Sequence, residues 1–291
     1  MSARSPRRAP TASVLYDAPG PRTRRRIAVA SALTALVVLV AVGFALREFA
    51  SHGQLDADRW EPFTAWPIWR YLLVGLRGTL EAAALTAVLS AAAGVLLALG
   101  RLSRVTAIRW PATTYIEVAR ALPVLLLIYV TLFGLPRYGI DLPLVWKLVV
   151  PLTVANSAAF AEIFRAGILG LPRGQDEAAR SLGLTATQSM RLVVLPQAVR
   201  LVTPSVITQL VSLLKDTSLG YVVAFTELLY RAQVLASYNH LLVQTFLVVT
   251  AIYLVCNGLL SALAGRLRTA RRRGTAGADT VSLTAAEEIH A

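Results

Sequence analysis

The chain has 291 residues, 56% of them hydrophobic and only 15% charged, which excludes an ordinary soluble domain and points to an all-α polytopic membrane protein. Its single cysteine, Cys256, excludes an intrachain disulfide or a cysteine-cluster metal site. The net charge of +13 is carried largely by arginines in tails and loops beside apolar runs, a membrane-topology pattern rather than a nucleic-acid surface.

Residues 1–26 hold seven arginines against one acid, Asp17, and predict a basic disordered tail facing anionic lipid. Residues 27–46 form an unbroken apolar run, long enough to cross a hydrocarbon core of about 30 Å. A cleaved signal peptide would need a shorter apolar region and a small-x-small cleavage site. Phe44-Ala45-Leu46-Arg47 fits that poorly, so the run reads as an additional N-terminal transmembrane helix. Residues 47–70 are polar and aromatic, with Trp60, Trp66 and Trp69 suited to the headgroup level. Further spans are expected near 71–100, 115–133 with a kink at Pro123, 148–170, 199–225 and 240–264. Gly75, Gly78 and Gly94 would let neighbours approach the first of these closely. Residues 134–147 and 227–239 read as loops, and 266–291 as a tail that is basic, then of low complexity.

Six spans place both termini and the 171–200 segment on one side. That side carries nineteen lysines and arginines in its tails and loops, against six in the three opposite loops. By the positive-inside rule the richer side is cytoplasmic, which predicts a multi-pass cell-membrane protein with both termini in the cytosol.

Glu162–Leu219 organises the rest. An apolar helix enters it, a polar segment of about two dozen residues interrupts it, and a second apolar helix leaves it. Gly174-Gln175-Asp176-Glu177-Ala178-Ala179 begins a short helix, which Gly183 is suited to end as an αL cap because it has no Cβ to clash. Thr185 with Gln188 reads as a capping box opening another helix. Pro196, lacking an N–H, is expected to break the chain again. A helix–glycine–helix knob on the membrane surface results.

Glu177-Ala178-Ala179, then Gly183, then Leu195-Pro196 resembles the EAA motif of ABC-importer permeases. The flanks 161–168, 172–175, 195–198 and 215–219 resemble the polar amino-acid uptake branch, and 13–22 resembles the opening of actinobacterial glutamate-importer permeases. The resemblance covers about residues 72–265. It implies a type I transmembrane fold whose coupling helix, residues 172–183, docks on a cytoplasmic ATPase subunit. Arg173, Gly174, Gln175, Glu177, Ala178, Ala179, Gly183, Leu195 and Pro196 would serve that contact. It also implies an ATPase dimer that binds ATP and magnesium, a second and related permease chain, an extracytoplasmic binding protein, and import of a polar amino acid, foremost glutamate. Many relatives lack the first span, so residues 27–46 stand outside the transport core.

Charges at membrane depth are costly and call for a partner or a purpose. Arg77 and Glu81 are spaced i,i+4; Glu117 and Arg120, and Glu162 and Arg165, are spaced i,i+3. Glu162 and Arg165 stand about two turns before the loop, where they either stiffen the junction or cap the bundle. Lys215-Asp216-Thr217-Ser218 puts four polar residues around one apolar helix, so some face protein or a water-lined path. With Arg77 they are the candidate translocation path. A secondary transporter using Lys215 and Asp216 as coupling sites is the alternative, but it predicts paired broken helices in two halves, and no internal repeat is visible. The sequence has no phosphate-binding loop and no catalytic or metal-ligand pattern, so ATP hydrolysis is expected in a partner chain.

Overall fold

The structure, a computed structural model, describes residues 20–172, 174–263 and 265. Arg173, residues 1–19 and the tail from 266, all named above, lie outside the described residues. The chain divides into two compact units, residues 1–60 and 61–291.

The first unit holds helix α1 (Pro21–Ser51) and one helical turn at Ala57–Trp60. α1 begins before the expected tail ends, so Arg22, Arg24, Arg25 and Arg26 are helical rather than tail residues. Pro21 sits in the first turn, where its missing N–H costs nothing and its fixed φ suits the helix. The most apolar 18-residue stretch of α1 has a mean hydropathy of 2.6, that of a span.

The second unit contains α2 (Trp66–Leu102), α3 (Thr106–Ala121), α4 (Val124–Tyr129), α5 (Leu144–Leu169), α6 (Gly174–Ser181), α7 (Ala186–Ser189), α8 (Leu195–Asp216), α9 (Leu228–Asn239) and α10 (Leu242–Leu263). Here α2, α5, the continuous segment Ala186–Val223 and α10 are long and apolar enough to cross a membrane. The expected third span is not a kinked rod. α3 and the segment Val124–Tyr138 meet at 99°. Leu122 and Pro123 are both extended, because a residue preceding proline is pushed out of the α region.

α2 and α5 run parallel and form the core. Ala82 packs with Leu148, Val149 and Leu152 at one level, and Ala98 with Ala158 and Ala161 further on. Between them Gly94 meets Phe160, where an added Cβ would stand 2.6 Å from the Phe160 Cβ. Small residues at such contacts replace the hydrophobic drive that lipid does not supply.

Residues 227–239, read above as a loop, are largely helix. α9 buries Leu228, Ala232 and Ala236, an i, i+4, i+8 stripe. Its N-cap is Glu227, which is fully buried. Glu227 accepts from the N–H groups of Leu229 and Tyr230, both at 2.7 Å, and from the Tyr253 hydroxyl of α10 at 3.2 Å. Thr79 of α2 donates to it at 3.5 Å and accepts from the Leu228 N–H at 3.1 Å. Gly75 and Gly78 leave room for this turn: a Cβ on Gly78 would stand 2.9 Å from the Thr226 carbonyl oxygen. Burial raises the Glu227 carboxyl above its ordinary range, opposed by the hydrogen bonds it accepts. Glu227→Ala strands two helix N–H groups and is expected to cost on the order of 2–3 kcal/mol. It should appear as a lowered Tm of the purified complex in detergent, and Glu227→Gln, which keeps one acceptor oxygen, should lose less.

Candidate functional site

The segment between α5 and α8 is built by local hydrogen bonding. α6 ends in a Schellman motif: the Gly183 N–H donates to the Arg180 carbonyl at 2.9 Å and the Leu184 N–H to that of Ala179 at 3.3 Å. Gly183 has φ +86°, the left-handed conformation that glycine alone adopts freely. Two residues on, Thr185 Oγ1 accepts from the Gln188 N–H at 3.3 Å while Gln188 Oε1 accepts from the Thr185 N–H at 2.9 Å, the full capping box.

Asp176, which sequence reasoning passed over, locks the two short helices together. Its Oδ1 accepts from the fully buried Ser189 hydroxyl at 2.6 Å, and its Oδ2 from Arg180 Nε at 2.9 Å. The Ser189 hydrogen bond, and then Arg180, hold its carboxyl below the ordinary aspartate range. That contribution is therefore present above an ordinary aspartate value of 3.8 and is lost as pH falls through the lowered one. Gln175 ties the knob to α8, accepting from Gln197 Nε2 at 3.0 Å. Of the EAA triplet, Glu177 and Ala178 are exposed, whereas Ala179 is buried within the knob. Leu182 at the turn is 85% exposed.

Pro196 does not break the chain. A π-helical turn, Met190–Val194, precedes it and runs into α8 without interruption. The wider turn shifts the hydrogen-bond register by one residue and takes up the proline's missing donor. α5 and α8 close at Gly167, where any Cβ would collide with Val202.

Two of the three spaced charge pairs form and the third changes partner. Arg77 does meet Glu81, at 2.6 Å on an exposed face. Glu117 meets Arg101 at 2.7 Å rather than its i,i+3 neighbour Arg120. Arg101 also reaches Glu162 at 2.5 Å, and Glu162 holds Arg165 at 2.9 Å as its spacing implied. In the sequence Arg101 counts only toward the positive-inside total. An arginine directly after the span 71–100, with acids in two later spans, was the available signal. The polar set at the end of α8 is not brought together with Arg77 by any of these contacts. Lys215 is exposed, Asp216 half-buried and Thr217 fully buried. The Thr217 and Ser218 hydroxyls donate to the Leu214 and Lys215 carbonyls, each at 2.7 Å, instead of across helices. The helix tightens there from α to 3₁₀, over Thr217–Val223.

Residues 90–273 match the family described as binding-protein-dependent transport system inner membrane component. The chain belongs to this family. It is a multi-pass permease subunit of an ABC importer, a machine in which a partner chain hydrolyses ATP. It is 39% identical to the glutamate transport system permease protein GluD of Corynebacterium glutamicum, over 78% of this chain and 85% of that one. To the probable glutamine permease GlnP of Bacillus subtilis it is 36% identical, over 68% and 92%. The crystal structure of an amino acid ABC transporter with histidines superposes with a TM-score of 0.65 at 32% identity, covering 70% of this chain and 94% of that one. The inward-facing MetNI methionine transporter, 21% identical with a TM-score of 0.60 over 70% and 98%, shares the fold.

Among the knob's features, Gly183 is the least replaceable. Gly183→Val places a β-branched residue at positive φ and is expected to cost about 1–2 kcal/mol locally. Faster amide exchange across 174–189 would report it, while Gly183→Asn should exchange near the wild-type rate.

Proposed function

We propose that this permease carries a polar amino acid, foremost glutamate, across the cell membrane, and that the 172–183 knob is its coupling helix. The observation that carries the substrate is the 39% identity to the C. glutamicum glutamate permease over most of both chains. Relatives named for glutamine, and for glutamate and aspartate, make those the nearest competitors. Exposed Glu177, Ala178 and Leu182 present a compact polar-and-apolar tip to an ATPase groove, with Gly174 at its entry; the sequence resemblance adds Arg173 to that contact. Gln175, Ala179, Gly183, Leu195 and Pro196 shape and anchor that tip. The positive-inside count supports a cytosolic knob and cytosolic termini. A related permease chain would complete the pathway and an extracytoplasmic binding protein would deliver the substrate. Lys215, Asp216, Thr217 and Ser218 are the path residues, with Arg77 a candidate for a substrate carboxylate.

Two measurements test this. Cells lacking the chain should lose ATP-dependent uptake of labelled glutamate, and in wild-type cells excess aspartate or glutamine should compete better than arginine. ATP-dependent uptake of a different amino acid would replace glutamate and keep the machine. Glu177→Lys should weaken ATPase-subunit association about 30-fold, the scale of a hot spot losing ~2 kcal/mol. Wild-type association and transport in that variant would remove the coupling assignment.

A further inference from the structure

Arg101 lies in the last turn of α2, directly after its apolar stretch, and its guanidinium forks between two other helices. Nη1 donates to Glu162 Oε1 of α5 at 2.5 Å, and Nη2 to Glu117 Oε1 of α3 at 2.7 Å. The other Glu162 oxygen accepts from Arg165 Nη2 at 2.9 Å. The Arg101 and Glu162 side chains are each only 21% exposed. Glu162 lies about two turns before the end of α5, where the knob begins. The two stems of the knob are pressed together at Gly167 and Val202. An open cleft of about 400 Å³ runs beside this contact, lined by both stems from Glu162 and Gly167 on α5 to Val202 and Ser205 on α8. Glu162 therefore borders the cleft while its carboxylate is held to Arg101 of α2.

We infer that Arg101 is a positioning residue for coupling: its fork makes the knob-bearing stem α5 move with α2 and α3 as one body. Displacement of the knob then reaches the core helices instead of being absorbed by α5 sliding along its cleft. This rests on the coupling role proposed above. A planar fork can hold two carboxylates on different helices, whereas a lysine is a point charge that cannot keep both. Loss of the arginine leaves Glu162 with Arg165 alone and takes from Glu117 its hydrogen bond to Arg101.

The test uses the importer complex, purified with wild-type or variant permease and reconstituted in proteoliposomes with its binding protein and labelled glutamate. Uptake and ATP hydrolysis are measured on the same vesicles. Arg101→Gln is expected to lower glutamate moved per ATP hydrolysed about fivefold or more, the lower range of a coupling effect. Arg101→Lys, which keeps the charge and the assembly, should lower the ratio by a smaller factor. Glu162→Gln combined with Arg101→Gln should lose less than the product of the two single losses, because the Arg101–Glu162 bond is common to both while Glu117 and Arg165 each lose a contact of their own. A merely structural role would lower uptake and hydrolysis in proportion and leave the ratio unchanged. That result in Arg101→Gln, a wild-type ratio in Arg101→Lys, or losses that multiply in the double variant would each overturn the inference. A wild-type complex that hydrolyses ATP but moves no glutamate, aspartate or glutamine would overturn the functional reading first, and this inference with it.

Discussion

An ionised side chain carried into lipid must bring its partner along, and this constraint arranges the charges of the core. Glu162 satisfies it with one arginine on each oxygen, one from its own helix and one from α2. Glu117 shares the same Arg101. Three helices that have only weak reasons to associate in an apolar solvent are thereby fixed in register at one end. Glu227, between two spans, meets the related cost of a buried carboxyl by a different route. Among the described residues it pairs with no cation; the carboxyl caps α9 and collects hydroxyls from α2 and α10. Both sites join elements distant in sequence, which apolar surfaces alone would leave free to slide.

The knob obeys the opposite economy. Outside the apolar spans, tertiary burial is scarce and order comes from bonds between near neighbours. The Schellman turn at Gly183, the Thr185–Gln188 box and the Asp176 clamp on Ser189 succeed one another within sixteen residues, 174–189. The first two satisfy helix-end groups that would otherwise face water or stay unpaired, and the third ties the two short helices together. Such a unit keeps its shape while its tip, with Glu177 and Leu182, remains open to a partner.

What was legible in the sequence follows this division. Apolar runs marked the spans, and cap chemistry marked Gly183 and Thr185, because both signals are local. Pro123 was legible as a disturbance, but its 99° consequence depended on Leu122 being forced extended as well. Pro196 misled, because the compensating π turn leaves no simple mark on residue type. α9 was missed since its buried stripe, Leu228, Ala232 and Ala236, is narrow and its cap is a glutamate rather than a favoured N-cap residue. The Glu117 pairing was misassigned because i,i+3 spacing makes a bond available without making it the best one. Arg101, from another helix, offers a planar fork to two acids at once.

The two polar sites also explain why α2 differs from its neighbours. Thr79, at the Glu227 site, and Arg101 are 22 residues apart on α2, about 33 Å along the axis and close to the hydrocarbon thickness. α3, α5 and α8 each carry an interior proline, at 111, 151 and 204, where a helix bends easily. α2 has its only proline in the first turn. A long helix without a break, held by polar contacts at both ends, is, like the proline-free α10, a stiff member of the unit. The proline-bearing helices around it can flex while it keeps the distance between the Glu227 site and the Arg101 fork. Under the coupling role proposed above, a displacement entering at the knob would reach the opposite end as movement of a rod rather than be lost as bending along the way.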